Sequence, residues 1–296
     1  MVVDADGQVL SRADAPPGAT ANPNAIREAA ARALGGGVVA AAGVAIATAF
    51  DQTPPAITAA LREGTSRKTE IVPIAAGTAA AIAEQWVGAA RGVRQLVTLS
   101  IGEHVIAGAV LNGEPWIGAH GFASSAGWLA MNPVEREDYR RLGGLEAEIA
   151  AAGFVRRFVW RIKAGDESVL VDRVKGDFSK ITVDDILECS RSGDGVSLSV
   201  VRDTARYVGM AAANMATLLD PEVVVLGGVI ARAGDVMLEP IRTDCLRRLH
   251  PRHAERTRIV LSTLGNDAVA IGAARAAARA GIHPIAQSPR DGGPGA

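Results

Sequence analysis

A run of four apolar residues, Val223-Val224-Val225-Leu226, ends in the pair Gly227-Gly228 and follows Leu218-Leu219-Asp220-Pro221-Glu222. Read as a helix end, a proline stop and a buried strand, this stretch sets two glycines at a strand's carboxyl end. Open α/β sheets bind ligands just outside such ends. Glycine there lets the backbone approach a ligand closely and allows positive φ. The chemistry served is nucleotide binding, and the rest of the chain fits the same architecture. A second candidate is the adjacent acid and imidazole of Glu103 and His104, after Gly102. Neighbouring strand residues point to opposite faces, which argues against their acting as one acid–base pair.

These residues need a framework, and the pattern predicts one. Residues 2–10 read as a hairpin turning at Asp6-Gly7, and Asn112-Gly113 is a second hairpin turn. Helices are predicted over 22–34, 54–63, 77–90, 182–190, 196–219, 235–249 and 268–280, with prolines starting the second. Strands are predicted over 37–46, 70–74, 95–102, 104–111 and 258–262. The longest helix carries apolar Val200, Ala205, Val208, Ala212, Met215 and Leu219. Residues 134–162 are charged and helical, reading as a solvated, salt-bridged face. His250 and His253 sit among Arg247, Arg248, Arg252 and Arg256, which reads as a solvated helix end.

The chain has 296 residues, 48% hydrophobic and 4% aromatic, so a sizeable core would be built of Ala, Val, Leu and Ile. Net charge is −1, which provides no overall basic field for nucleic acid. Cys189 and Cys245 read as reduced thiols, not as a disulfide framework. No apolar run is long enough for a membrane span, and no signal-peptide core opens the chain, so a cytoplasmic location is expected. The Pro/Gly-rich end reads as a disordered tail. Two α/β domains with a cleft between them is the economical arrangement.

The pieces Leu219-Asp220-Pro221-Glu222, Val225-Leu226-Gly227-Gly228, Gly265-Asn266-Asp267-Ala268 and Ile271-Gly272-Ala273-Ala274 resemble the ROK family of bacterial repressors, open reading frames and sugar kinases. The resemblance covers residues 1–282. It implies an α/β protein of the actin-like ATPase (ribonuclease H-like) fold. The smaller domain would be 1–92 with 265–282, the larger 93–264, and the tail 283–296. Ser100-Ile101-Gly102 through Asn112-Gly113 looks like the family's second phosphate-binding hairpin, and Gly143-Gly144-Leu145-Glu146 resembles its Gly-Cys-x-Glu corner. The resemblance implies nucleotide contacts from Gly102, Gly108, Gly227 and Gly228, with ATP and Mg as cofactors. It implies sugar contacts from Glu146, Trp128, His120 and Ser125.

Several matched positions depart from the family pattern. The family's first phosphate loop, Asp-x-Gly-Gly-Thr, and its strand would lie ahead of Met1. The expectation is a start codon assigned too far downstream, which upstream coding for that loop would support and a stop codon would refute. Ala75-Ala76-Gly77-Thr78 stands where the family has Asn-Asp-Ala-Asn, so Ala76 occupies the catalytic Asp position and no catalytic residue is named. Glu84, further along that helix, is the weak alternative. Glu103, His104 and Ile106 replace the Thr and Gly residues of the phosphate hairpin, where glycines expose N–H groups to anions. Ser125-Ala126-Gly127-Trp128 replaces Glu-x-Gly-His, and Gly144 stands where a zinc cysteine would be. Since a structural zinc site needs four good ligands, no zinc is expected.

Three functions are consistent with these residues. One is an ATP-dependent hexose kinase of glucokinase type, weakened or inactive. Another is a non-catalytic sugar-binding regulator, related to the family's repressors but without their DNA-binding helices. The third is a gene remnant that folds poorly. A hexose or amino-sugar ligand and a homodimer are expected, with neither membrane nor nucleic acid as partner.

Overall fold

The computed structural model describes residues 1–14, 22–39, 41–46, 55–66 and 68–280. The tail expected over 283–296 and the helix start at Pro54 lie outside them. The chain divides into two compact units. The first takes Met1–Arg94, Gly108–Ser124 and the residues from Asn266; the second takes Gln95–Ala107 and Ser125–Gly265.

In chain order, the first unit opens with the antiparallel pair β1 (Val2–Val3) and β2 (Val9–Ser11). Helix α1 (Pro23–Leu34) is capped by Asn22, whose side chain accepts the Asn24 N–H, and stops at left-handed Gly35. β3 (Ala41–Ile46) follows, then α2 (Pro55–Gly64), β4 (Glu70–Ala75) and α3 (Ala76–Trp86). β3 and β4 pair parallel, Ala41 opposite Glu70 and Ile46 opposite Ala75. Next come β5 (Leu96–Ile101), β6 (Val105–Leu111) and the short β7 (Glu114–Pro115).

The charged stretch 134–162 is not one helix. It breaks into α4 (Glu137–Leu142), α5 (Gly144–Ile149) and α6 (Ala151–Lys163), divided by Gly143 at φ 96° and by extended Ala150. Beyond it lie α7 (Val169–Arg173) and α8 (Val183–Arg191), the latter begun by a Thr182–Asp185 capping box. Helix α9 (Gly195–Leu219) runs 25 residues from its Asp194 cap to left-handed Asp220. Pro221 then releases the chain into β8 (Val223–Gly228), followed by α10 (Val229–Arg232), α11 (Gly234–Leu246), α12 (Pro251–Ala254), β9 (Arg258–Leu261) and, in the first unit, α13 (Ala268–Ala280).

The core of the second unit is parallel. β5 runs beside β8 with Ser100 opposite Gly227 and Ile101 opposite Gly228, and β8 runs beside β9. Leu96, Val97, Leu99 and Val223 to Leu226 are buried, as a parallel sheet covered on both faces requires. Val200, Ala205, Val208, Ala212 and Met215 of α9 are buried as the periodicity predicts, whereas Leu219 is only partly covered. Asp244 pairs with Arg247 and Arg248, and His250 caps α12, so part of the basic cluster is neutralised within its own helices.

Glycines set the close packing of the first unit. A Cβ on Gly43 of β3 would lie 2.0 Å from the Ala273 carbonyl oxygen, and one on Gly272 would lie 1.7 Å from that of Ala79. Helix α13 therefore meets β3 and α3 backbone to backbone. The arm Gly108–Ser124, expected in the larger domain, groups with this unit for the same reason. A Cβ on Gly108 would lie 2.1 Å from the Gly77 carbonyl oxygen. Gln85 also donates to the Gly113 carbonyl, and Arg94 to that of Asn112.

Gly272→Ala tests this packing by sign. Alanine would gain up to about 1 kcal/mol in helix propensity, but the overlap with Ala79 should reverse this. The expected outcome is a net loss of roughly 1–3 kcal/mol in urea unfolding.

Candidate functional site

Three glycines of the second unit bring two chain segments together. The turn Ala126–Trp128 lies against the corner before α5. A Cβ on Gly143 would sit 2.4 Å from the Gly127 carbonyl oxygen, and one on Gly144 would sit 2.7 Å from that of Leu129. Gly143 also adopts φ 96°, which L side chains avoid. Gly127 lies under Glu146, since its own Cβ would come 3.0 Å from Oε2.

Glu146, in the first turn of α5, is held at both oxygens. Oε2 accepts the Val105 N–H at 2.6 Å, and Oε1 lies 2.9 Å from Nδ1 of His104. The carboxylate is 14% exposed and the imidazole 51% exposed. His104 is in the turn between β5 and β6, not on a strand, and pairs with Glu146 rather than with its neighbour Glu103. The Gly102 N–H donates to the His104 carbonyl, and the Gly102 carbonyl accepts from Ala151 N–H at the start of α6. That N–H is therefore engaged within the turn. Trp128 is exposed beside buried Gly127, and Ser125 opens the same turn.

At the neighbouring strand end, Gly227 packs against Ser100. A Cβ there would be 2.1 Å from Ser100 Oγ, and one on Gly228 (φ 64°) would be 2.1 Å from the Ile101 carbonyl oxygen. The glycine pair at the end of β8 thus lies beside the Gly102–His104 turn at the end of β5, the sheet position where ligands bind.

The other expected positions belong to the first unit. Ala76 is buried and begins α3, which has no side-chain cap. Gly108 is accounted for by packing on Gly77. Glu84 is buried and accepts the Ala89 N–H at 2.8 Å, closing the turn after α3. His120 is exposed in a turn.

The segment 129–145 does not fit zinc. It contains no cysteine or histidine. Among the described residues, no group of three or more His, Cys, Asp and Glu side chains could share a metal ion. Cys189 and Cys245 are buried and free, and burial pushes the Cys245 thiol up to about 11. Buried Glu148 secures the segment instead. It accepts from the Tyr139 hydroxyl, from Arg136 at 3.3 Å and from Arg157 at 3.0 Å. Asp138 of α4 adds an ion pair to Arg156 of α6. The sequence reading missed both Glu148 and the pairing of His104 with Glu146, and spacing carries no signal for either.

A sequence model of the ROK family matches residues 57–280. The chain is 33% identical over 198 residues to a glucokinase of Halalkalibacterium halodurans, an alignment covering 65% of this chain and 59% of that enzyme. It is 27% identical to the xylose repressor of Caldicellulosiruptor bescii, covering 66% of this chain and 48% of the repressor. The chain thus matches about three-fifths of the first relative and half of the second. A crystal structure of a ROK glucokinase from Streptomyces griseus with glucose and AMPPNP superposes with TM-score 0.80 at 25% identity, covering 94% of each chain. The fold is thus that of the ROK sugar kinases, the actin-like ATPase fold expected from the resemblance. Among the described residues no helix is long and apolar enough to cross a membrane.

The clasp around Glu148 has a spectroscopic consequence. Burial raises the Tyr139 phenol above its usual value, and the hydrogen bond to Glu148 raises it further. Burial and then the Glu148 charge raise Tyr207. These are the chain's two tyrosines. The folded state holds both protons more tightly than the unfolded state does. Their stabilising contribution is complete below pH about 10 and is lost as pH rises through the folded values. Phenolate absorbance should therefore stay flat through about pH 10 and rise with unfolding. Ionisation of either tyrosine at its ordinary value in folded protein would contradict the clasp.

Proposed function

Because the chain belongs to the ROK family, we propose that it binds a hexose or N-acetylhexosamine at the Glu146 corner and phosphorylates it slowly from ATP. The observation that carries the sugar reading is the anchored carboxylate of Glu146. One oxygen is fixed by Val105 N–H and the other by His104, so an acceptor stands pre-oriented at low exposure. Each oxygen retains a lone pair for a sugar hydroxyl. Trp128 offers a flat apolar face and Ser125 a hydroxyl on the adjoining turn. His120 is assigned here only by its place in the family pattern.

The nucleotide reading rests on Gly227 and Gly228, whose small size and strand-end position suit close approach of a phosphate or ribose. Gly102 and Gly108 are weaker candidates, because one N–H is engaged by His104 and the other glycine packs on Gly77. Magnesium would arrive with the nucleotide. Phosphoryl transfer is largely positioning and electrostatics, so a partly kept site still supports a slow reaction.

The slowness follows from Ala76, whose buried methyl cannot take a proton. The same observation favours the second reading, a sugar-responsive regulator without catalysis, which suits the likeness to a xylose repressor.

Thermal unfolding of the full chain with a panel of hexoses and N-acetylhexosamines, with and without Mg-ATP, tests the proposal. A ligand at about 100 times its Kd stabilises by about 2.7 kcal/mol. One sugar should raise the transition, ATP should raise it further, and Glu146→Gln should abolish the sugar shift. Indifference to every sugar contradicts the reading. Ala76→Asp separates the two functions. A carboxylate is favoured near a helix N-terminus, and its return should raise kcat about 10²-fold or more. No detectable transfer by either protein, with sugar binding intact, favours the regulator.

A further inference from the structure

We infer that His104, oriented by Glu146, is the proton acceptor for the sugar hydroxyl, an assignment that rests on the phosphoryl-transfer reading above. The two residues form a carboxylate–imidazole dyad across 42 positions of sequence, with Nδ1 to Oε1 at 2.9 Å. The carboxylate cannot swing away, because Val105 N–H holds its second oxygen at 2.6 Å. In the tautomer whose Nδ1–H donates to Glu146, Nε2 carries the lone pair. The shielded member of the pair is the carboxylate and the exposed member is the imidazole, at 14% and 51%. A shielded carboxylate that orients an accessible imidazole and stabilises the imidazolium it becomes is the working arrangement of catalytic triads.

Placement agrees with the chemistry. The turn that carries His104 follows β5, whose last residue, Ile101, lies opposite Gly228 of β8. The imidazole of the dyad and the glycine pair therefore lie at the carboxyl ends of adjacent parallel strands. Ala76 supplies no proton acceptor at the start of α3, and Glu84 is turned to the Ala89 N–H.

The step balances. The sugar O–H bond breaks, its proton passes to Nε2, and the oxygen's electron pair forms a bond to the γ-phosphorus of a nucleoside triphosphate. The bond from that phosphorus to the β,γ-bridging oxygen breaks, and its electrons leave with the diphosphate. The imidazolium, paired with Glu146, then returns its proton to water.

The test is steady-state phosphoryl transfer by the full chain with Mg-ATP and the hexose that shifts unfolding. His104→Ala should lower kcat about 10²-fold while KM for the sugar stays within roughly threefold. Added imidazole should restore part of the lost rate. His104→Gln guards against misfolding: its amide N–H can still reach Glu146 but the side chain cannot take a proton, so it should melt like wild type and be as slow as His104→Ala. Variants with wild-type kcat, or a deficit that imidazole does not relieve, overturn the dyad and leave the kinase reading standing. Wild-type protein that binds sugar yet transfers no phosphate overturns the dyad and transfer together, leaving a sugar binder. No sugar response at all overturns the site itself.

Discussion

A buried backbone N–H must find an acceptor, and at the head of β6 the Val105 N–H finds the carboxylate of Glu146, which lies 41 residues on in the chain. The surrounding arrangement follows from that bond. For the carboxylate to reach Val105, α5 must enter over the Ala126–Trp128 turn, an approach that requires glycine at 143 and 144 and leaves little room beyond glycine at 127. The second carboxylate oxygen then meets His104 and sets the imidazole's orientation. One charge-assisted bond thus links a strand end, a 3₁₀ turn and a helix start in one polar corner.

Helix α5 carries two carboxylates with different duties. Glu146 and Glu148 are two positions apart, a spacing that does not share a helix face. Glu146 turns to the β5–β6 turn, and Glu148 turns to Arg136, Tyr139 and Arg157. A buried carboxylate is costly unless it is paired and hydrogen-bonded, and Glu148 meets both conditions. The segment that precedes α5 is fastened by this network where the family resemblance would place zinc ligands. Holding that segment also fixes the helix from which Glu146 projects.

Much of the framework was legible because it rests on local rules. Pro221 after α9 and the glycines after β8 mark their elements in the sequence, and Asn112 and Gly113 take the positive φ values a tight hairpin turn needs. The break-up of 134–162 was only half legible: Gly143-Gly144 is a helix-breaking pair that the charge pattern masked, whereas Ala150 is a good helix former and carries no local sign of a break. Gly143 is dictated by the Gly127 carbonyl, a tertiary contact. The glycines read for ligand approach show a similar limit: Gly108 and Gly228 are required by the backbone of Gly77 and Ile101 whether or not a ligand is bound, and Gly227 packs against the Ser100 side chain. The pairing of His104 with Glu146 was hidden twice. It spans distant residues, and strand alternation was applied to a position that lies in a turn.

The most direct measurement is a crystal structure of the chain soaked with the hexose that shifts its unfolding. The account expects a sugar hydroxyl within hydrogen-bond reach, about 2.6–3.2 Å, of a Glu146 carboxylate oxygen, and a hydroxyl at similar range from Nε2 of His104. A sugar held elsewhere, with the Glu146 carboxylate still bound only to Val105 and His104, would contradict it.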